Sequence, residues 1–169
     1  MALKLTLNEL LIEELRDLYS VETQLSRALP RFSKAASNDE LKQAFEDHGR
    51  QTATHLARLD RVMELLGANP RGKTCQAMEG LIAEAGEKME LDAEDEVRDV
   101  GLIAAAQKVE HYEIAGYGTV RTLAEVVGED EVAKLLQETL DEESEADERL
   151  TDIAELVNAE AAETEDAER

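Results

Sequence analysis

Four stretches of this chain repeat apolar residues at intervals of three and four, and ionisable residues interrupt each repeat near its middle. Such intervals place side chains on one face of an α-helix, whereas a strand alternates with a period of two. The sequence therefore predicts an all-α protein with four long amphipathic helices. The four faces consist of Leu11, Leu15, Leu18, Glu22, Leu25 and Leu29; of Leu41, Phe45, His48, Thr52, His55, Leu59, Val62 and Leu66; of Ile103, Ala106, Glu110, Glu113, Tyr117, Val120, Ala124 and Val127; and of Val132, Leu136, Leu140, Glu143, Asp147, Leu150, Ile153 and Val157.

Turn residues divide these helices into two pairs. SNDE (residues 37–40) supplies helix-capping residues between the first and second helices, and VGEDE (residues 127–131) makes a tight turn between the third and fourth. Pro30 indicates that the first helix ends there or continues a few residues further with a kink. A connection over residues 67–93 separates the pairs and contains its own helical segment, CQAMEGLIAEAGEKM.

Two short-looped helix pairs joined by one long crossover form the ferritin-like arrangement of a four-helix bundle. An up-down-up-down bundle would not need the crossover. We expect residues 1–158 to form this single domain. Residues 159–169 are polar and acidic, and we expect them to form a frayed tail.

The net charge, the lack of long apolar runs and the single cysteine restrict the possible partners, location and covalent links of the protein. A formal net charge of −22 repels nucleic acid, so we expect no DNA or RNA partner and interpret most of the acid as a solvated, salt-tolerant surface. No apolar run reaches about 18 residues and no cleavable signal pattern is evident, so we expect no membrane segment and a cytoplasmic location. The single cysteine, Cys75, precludes an intramolecular disulfide and is interpreted as a small buried residue rather than a metal ligand.

The polar residues in the apolar faces lie at matching depths when they are counted from the two turns. With turns centred near residues 37 and 128, Glu22 and Thr52 each lie 15 residues from the first turn, and Glu113 and Glu143 each lie 15 from the second. Antiparallel helices have the same rise per residue, so these positions are level. One turn farther from the hairpins lie His55 in one pair and, in the other, Glu110 and Asp147.

A bundle of this kind brings the mid-height levels of both pairs into one cavity. Ionised carboxylates buried together repel one another unless cations neutralise them. Two divalent ions nearly balance five carboxylates, and oxygen donors combined with imidazole suit iron or manganese, with zinc as an alternative. The sequence therefore predicts a two-metal site. The carboxylates are Glu22, Glu110, Glu113, Glu143 and Asp147.

The remaining polar candidates have two interpretations each. His48 lies in the second apolar face but nearer the first turn, so a ligand and a hydrogen-bonded core histidine are equally consistent with its position. Tyr19 and Tyr117 lie within one turn of the carboxylates, where they pack in the core or support the ligands through their hydroxyls. His111 lies off the apolar face and is expected at the outside or at an interface.

Several segments resemble the YciF-like family of bacterial and archaeal stress proteins, which belongs to the ferritin-like superfamily. The resemblance covers residues 7–154 and is carried by EELRDLYSVETQLSRALP, LKQAFEDHGRQTATHLARLDRV, CQAMEGLIAE and, with the highest specificity, LIAAAQKVEHYEIAGYGT. It implies a four-helix bundle, a homodimer and a di-iron or related site. It implies much less about the reaction.

The resemblance also assigns metal-binding positions, one helix at a time. Glu22 stands at the first-helix ligand position, and Gln51 with His55 occupies the second-helix region. The third-helix pair and the fourth-helix pair are Glu110 with Glu113 and Glu143 with Asp147. The usual Glu-x-x-His motif of ferritin-like proteins is missing from the second and fourth helices. Since Gln51 offers only a neutral amide oxygen where relatives often carry Glu, reduced metal affinity at one of the two positions is expected.

Three functional hypotheses follow from the sequence. The first is a stress-response protein that uses two metal ions to handle iron(II), oxygen or peroxide. The second is a structural or interaction bundle with a vestigial metal site, which Gln51 favours. The third is a cage-forming iron store that protects DNA, against which the acidic surface and the lack of a basic tail argue.

Overall fold

The computed structural model describes residues 4–167, with side chains described up to residue 164. Five helices make up the fold: α1 (Leu7–Ala35), α2 (Asp39–Leu65), α3 (Gln76–Met89), α4 (Asp95–Val127) and α5 (Asp130–Ala167). No strand occurs among the described residues. The four long helices are the predicted ones, and α3 lies inside the predicted crossover. The expected all-α bundle is confirmed.

The helix ends follow from local chemistry. A capping box starts α1, in which the Thr6 hydroxyl accepts a hydrogen bond from the Glu9 amide and Glu9 accepts one from the Thr6 amide. The Asn38 side chain caps α2, while Gly128, with φ of 86°, ends α4 in the left-handed conformation that glycine adopts without steric cost. Helix α1 continues past Pro30 to Ala35, as the sequence allowed.

The pairing of the helices is ferritin-like. Helices α1 and α2 pack together, as do α4 and α5, and the pairs meet through α1 against α4 and α2 against α5. Helix α3 packs on α4 and α1. Helix α5 continues through the segment predicted as a tail, and its exposed acidic side chains there have little to pack against. Fraying of this segment stays a prediction.

A buried carboxylate fixes the turn between α1 and α2. Asp99, in the first turns of α4, is 1% exposed and accepts hydrogen bonds from the backbone amides of Ser37 (2.9 Å) and Asn38 (2.7 Å). These amides lie in the turn directly before α2 and would otherwise lack partners inside the protein. One side chain thus joins the first helix pair to the second.

The core consists of two apolar clusters with a polar layer between them. One cluster, which includes Leu25, Phe45 and Ile153, lies toward the α1–α2 turn. The other, which includes Leu15, Leu59 and Leu136, lies toward the α4–α5 turn. Both exclude water by close packing. The layer between them is therefore shielded from solvent on two sides.

Candidate metal centre

Six ionisable side chains, contributed by all four long helices, form the polar layer. All six are at most 5% exposed, and they lie where the apolar faces of the helices converge. They lie between the two apolar clusters and are almost completely buried, so their charges act in a medium of low polarisability. We call them the carboxylate layer, and its members are Glu22, His48, His55, Glu110, Glu113 and Glu143.

One half of the carboxylate layer surrounds His48. Its Nε2 atom lies 3.4 Å from Glu110 Oε1, 3.7 Å from Glu143 Oε2 and 3.9 Å from Glu113 Oε2. One ligand atom from each of these four residues lies within 4.8 Å of every other. A ring of donors of this size can surround a single ion.

The other half surrounds His55. Its Nδ1 atom lies 3.0 Å from Glu143 Oε1 and 3.2 Å from Glu22 Oε1. Glu143 therefore belongs to both halves, with one oxygen toward each histidine. Since His48 and His55 are seven residues apart on α2, two helical turns bring them to the same face.

An outer chain of hydrogen bonds orients His55. Its Nε2–H donates to Glu142 Oε2 at 2.8 Å, and Arg58 donates to the same carboxylate at 2.8 Å and to the Thr139 hydroxyl at 2.6 Å. The guanidinium group lowers the pKa of Glu142 although partial burial opposes this. An ionised Glu142 holds the proton on Nε2, which turns Nδ1 toward the carboxylate layer.

Tyr117 closes the layer on the α4 side. Its hydroxyl donates to Glu22 Oε1 at 2.5 Å, and the ring is completely buried. Burial and the neighbouring Glu22 carboxylate raise the pKa of this phenol well above its usual range. Tyr117 thus remains a hydrogen-bond donor to Glu22.

Without metal, the carboxylate layer places several carboxyl groups close together in a buried site, where their ionisation is unfavourable. Burial raises the pKa of Glu110 to about 8 and those of Glu22 and Glu113 above their ordinary values.

The histidines of the layer carry the compensating positive charge. Burial opposes protonation of His55, but its contacts with two glutamates raise its pKa to about 10, and three glutamates hold the pKa of His48 well above the usual range. Burial would raise the pKa of Glu143, yet contact with His55 and the charge of His48 lower it.

The unsatisfied atoms of the layer fit metal ions. Buried polar atoms ordinarily have hydrogen-bond partners, yet many in this layer form no hydrogen bond and have only the contacts of 3.0–3.9 Å between histidine nitrogens and glutamate oxygens. Four glutamates and two neutral histidines carry four negative charges, which two divalent cations neutralise. The atoms of the carboxylate layer that form no hydrogen bond are Glu22 Oε2, both ring nitrogens of His48, His55 Nδ1, Glu110 Oε2 and both carboxylate oxygens of Glu113 and of Glu143.

The structure brings five of the seven predicted ligands into the layer and leaves two outside. Gln51 is half-buried and lines a cleft beside His48. The Asp147 side chain is 20% exposed and bonds at 3.1 Å to His111, whose side chain is 69% exposed. His48, which the sequence left open, lies at the centre of one half. Tyr19 is half-buried and lines a surface pocket instead.

Sequence reasoning missed two acidic residues, Glu142 and Asp99. Glu142 gave little indication of its role, because it lies one position off the apolar face of α5. Asp99 was detectable, since it lies four residues before Ile103 and extends the apolar face of the third predicted helix by one turn. Cys75 is buried as expected, and its thiol lies 3.2 Å from the Tyr112 hydroxyl.

A cleft of about 410 Å³ between α2 and α5 leads from solvent to the carboxylate layer. Its walls include Phe45 and Leu150, and its inner end reaches His48 and Glu110. At the mouth, Arg149 donates to Asp47 at 2.8 Å across the two helices. Small molecules therefore have a route to the carboxylate layer.

No described helix has both the length and the apolarity that a membrane crossing requires.

Known proteins share this sequence and architecture. Protein YciF of Escherichia coli strain K12 is 51% identical over 150 residues, which are 88% of this chain and 90% of that protein. The crystal structure of the E. coli stress protein YciF superposes with a TM-score of 0.90 at 48% identity, covering 92% of this chain and 99% of that one.

A second solved structure, described as a putative structural protein of Rhodopseudomonas palustris, superposes with a TM-score of 0.84 at 41% identity, covering 87% of this chain and 94% of that one. Residues 6–162 match the model of a family described as a domain of unknown function, DUF892. The resemblance found in the sequence is thereby confirmed, and the chain belongs to the DUF892 family of YciF-like proteins.

Proposed function

We propose that this protein binds two divalent metal ions, most favourably iron, in the carboxylate layer and uses them to handle iron(II), oxygen or peroxide. The observation that carries the proposal is the set of buried glutamate and histidine atoms without hydrogen-bond partners. Carboxylate and imidazole ligands suit iron and manganese, with zinc as an alternative. Two such ions would supply Lewis acidity and, for iron or manganese, electron transfer to oxygen or peroxide.

The two halves of the layer would hold one ion each. His48, Glu110 and Glu113 would hold the first, while Glu22 and His55 would hold the second. Glu143 has an oxygen toward each half, so it would be shared by both ions. The resemblance implied reduced metal affinity at one position, because Gln51 stands where relatives often carry Glu. In the proposed arrangement His48 supplies the additional donor, so this reduction is not expected.

The chain's own residues prepare the site in three ways. Glu142 keeps a proton on His55 Nε2 and so leaves Nδ1 free as a donor. Tyr117 donates to one oxygen of Glu22 and leaves the other without a hydrogen-bond partner. The apolar clusters exclude water, while the cleft beside His48 admits small substrates and releases products.

Metal analysis and an oxidation assay test this proposal together. Protein purified without chelator should contain iron, manganese or zinc at close to two ions per chain, and Glu113→Ala should contain less. Aerobic oxidation of iron(II) should slow at least about tenfold in Glu113→Ala, as expected when a ligand is lost. Glu155→Ala, which removes an exposed glutamate of α5, serves as the matched control and should behave as the parent protein.

The structural-bundle hypothesis makes the opposite prediction. A protein with a vestigial site would be purified with no metal near stoichiometric amounts, and Glu113→Ala would oxidise iron(II) at the rate of the parent. Stoichiometric metal together with unchanged oxidation rates would retain the metal site but refute the oxidative role. A homodimer and a cytoplasmic location remain part of the proposal because the resemblance and the sequence favour them.

A further inference from the structure

A second pocket, of about 520 Å³, lies on the outer side of α1, where the connection from α2 to α3 crosses it. We call it the basic pocket. Although the chain has 40 acidic and 18 basic residues, four cations and no carboxylate line this pocket. Its lining residues are Arg16, Tyr19, Ser20, Thr23, Gln24, Arg27, Pro70, Arg71, Gly72, Lys73 and Thr74.

The cations of the basic pocket are not used for ion pairs. Elsewhere, several lysines and arginines on α2, α4 and α5 pair with acidic neighbours. Within the side chains that the structure describes, Arg16, Arg27, Arg71 and Lys73 have no acidic partner within 4.0 Å. The Asp60 carboxylate lies beside Tyr19 but is not among the lining residues, so mutual repulsion of the four cations favours an anion that joins them.

Arg16 is held in place to face the pocket. Its Nε–H donates to the Asn69 carbonyl at 2.9 Å, which leaves the two terminal nitrogens of the guanidinium available. The stem of Arg16 lies against Gly72, where an added Cβ would approach Arg16 Cβ and Cδ to 3.0 Å. The Asn69 side chain also accepts a hydrogen bond from the Arg71 amide at 2.9 Å. The segment is thus shaped around Arg16 before any ligand arrives.

Ser20 adds a neutral donor to the pocket. Its oxygen already accepts hydrogen bonds from the Cys75 amide at 2.9 Å and from Gln24 Nε2 at 3.2 Å. Because a hydroxyl group has one hydrogen and two acceptor positions, the Ser20 hydrogen remains free to donate. Charged forks with an adjacent hydroxyl donor are the groups that recognise phosphate oxygens.

We propose that the basic pocket binds a small molecule carrying two or more phosphate groups. Its volume falls in the range of small-molecule sites. A long polyanion such as RNA would extend over a surface of net charge −22, whereas a compact one feels chiefly the charges within a Debye length of about 8 Å at physiological salt. The site consists of residues outside the carboxylate layer, so this inference does not depend on the proposed function.

Calorimetric titration of the full-length protein with pyrophosphate at about 0.15 M salt tests the proposal. Arg16→Gln and Arg71→Gln should each weaken binding about tenfold, as expected for loss of a charge-assisted hydrogen bond. Gly72→Ala should weaken it about threefold without any change of charge, since the added methyl group displaces Arg16. Arg31→Gln removes an exposed arginine of α1 outside the pocket and is the control, with binding unchanged.

Other outcomes would overturn the proposal. Absence of pyrophosphate binding up to about 10 mM, or equal losses in Arg31→Gln and the pocket variants, would remove the site. Citrate binding as tight as pyrophosphate would refute the phosphate assignment. Light scattering checks a competing occupant: if Arg71→Gln lowers the oligomer mass without weakening pyrophosphate binding, the pocket receives an acidic surface of a second copy instead. Metal content measured before and after titration excludes metal extraction as the source of heat.

Discussion

Replacing Glu110 by glutamine should stabilise the metal-free protein while weakening its response to metal. Glu110 is 3% exposed, and its Oε2 atom has no hydrogen-bond partner. Glutamine has nearly the same shape but no charge to desolvate. The expected gain is therefore electrostatic, and it comes from removing one member of a crowded group of carboxylates.

The magnitude follows from the raised pKa. Burial raises the pKa of Glu110 from 4.5 to about 8, so the folded state binds the proton more tightly than the unfolded chain. Ionisation therefore opposes folding progressively from pH 4.5 to pH 8, at roughly 1.4 kcal/mol for each pH unit. At pH 7 this amounts to about 3 kcal/mol.

The attraction of His48, 3.4 Å away, is already contained in that pKa. The gain is reduced instead because the buried glutamine amide needs hydrogen-bond partners of its own, so a net stabilisation of about 1–2 kcal/mol is expected. For a chain of this size, each 1 kcal/mol shifts the melting temperature by about 2–4 °C. Glu110→Gln should therefore melt about 2–8 °C higher than the parent at pH 7.

The assay is thermal unfolding in EDTA at a series of pH values from 5 to 8. The advantage of Glu110→Gln should be small at pH 5 and should grow toward pH 8. Addition of manganese should raise the melting temperature of the parent more than that of the variant, because a ligand that binds only the folded state stabilises it. Glu155→Gln, at an exposed position on α5, should match the parent in both conditions.

Three results would refute this reasoning. If Glu110→Gln melts below the parent in EDTA at pH 7, burial of the Glu110 carboxyl does not cost the folded state the free energy that its raised pKa requires. If manganese stabilises both proteins equally, Glu110 does not contribute to metal binding. A pH-independent difference would show that repacking, not ionisation, accounts for the change.

Three further predictions concern other parts of the molecule. Glu142→Gln should weaken metal binding about 10- to 100-fold in a competition titration with little loss of helicity, because Glu142 orients His55 from outside the layer; equal affinities would contradict this role. Asp99→Ala should destabilise folding by about 2–4 kcal/mol in urea unfolding, because the amides of Ser37 and Asn38 lose their acceptor; Glu94→Ala, at an exposed position, controls for charge. Light scattering should give about twice the 18.7 kDa chain mass, and a mass of one chain or of a large cage would exclude the homodimer.

The fold was predictable because its information is periodic. Intervals of three and four identify each long helix, and the turn residues around Asn38 and Gly128 fix where the pairs reverse. The ends are less certain, since α1 continues through Pro30. Packing against the rest of the bundle offsets the loss of one backbone hydrogen bond there.

The sequence predicted the level of the site residues along the bundle axis, but it predicted less well on which side of its helix each residue lies. Counting from the turns placed Glu113 level with Glu143, and both lie in the layer. Asp147 lies one turn beyond Glu143, but four residues rotate a helix by about 400° and move the side chain sideways as well as along the axis. That rotation helps explain why Asp147 meets exposed His111 instead of the layer. Seven residues return almost to the same face, which is why His48 joins His55.

The composition of the layer explains why this bundle needs its two apolar clusters. Burying four carboxylates near two histidines destabilises the metal-free chain, since desolvation raises three of the carboxylate pKa values. The apolar clusters on either side stabilise the helices independently of the layer, so the chain can fold before metal binds. Metal ions would then satisfy donors that the fold holds without partners. A stability cost at the centre is consistent with a binding site and is difficult to explain for a bundle with only a structural role.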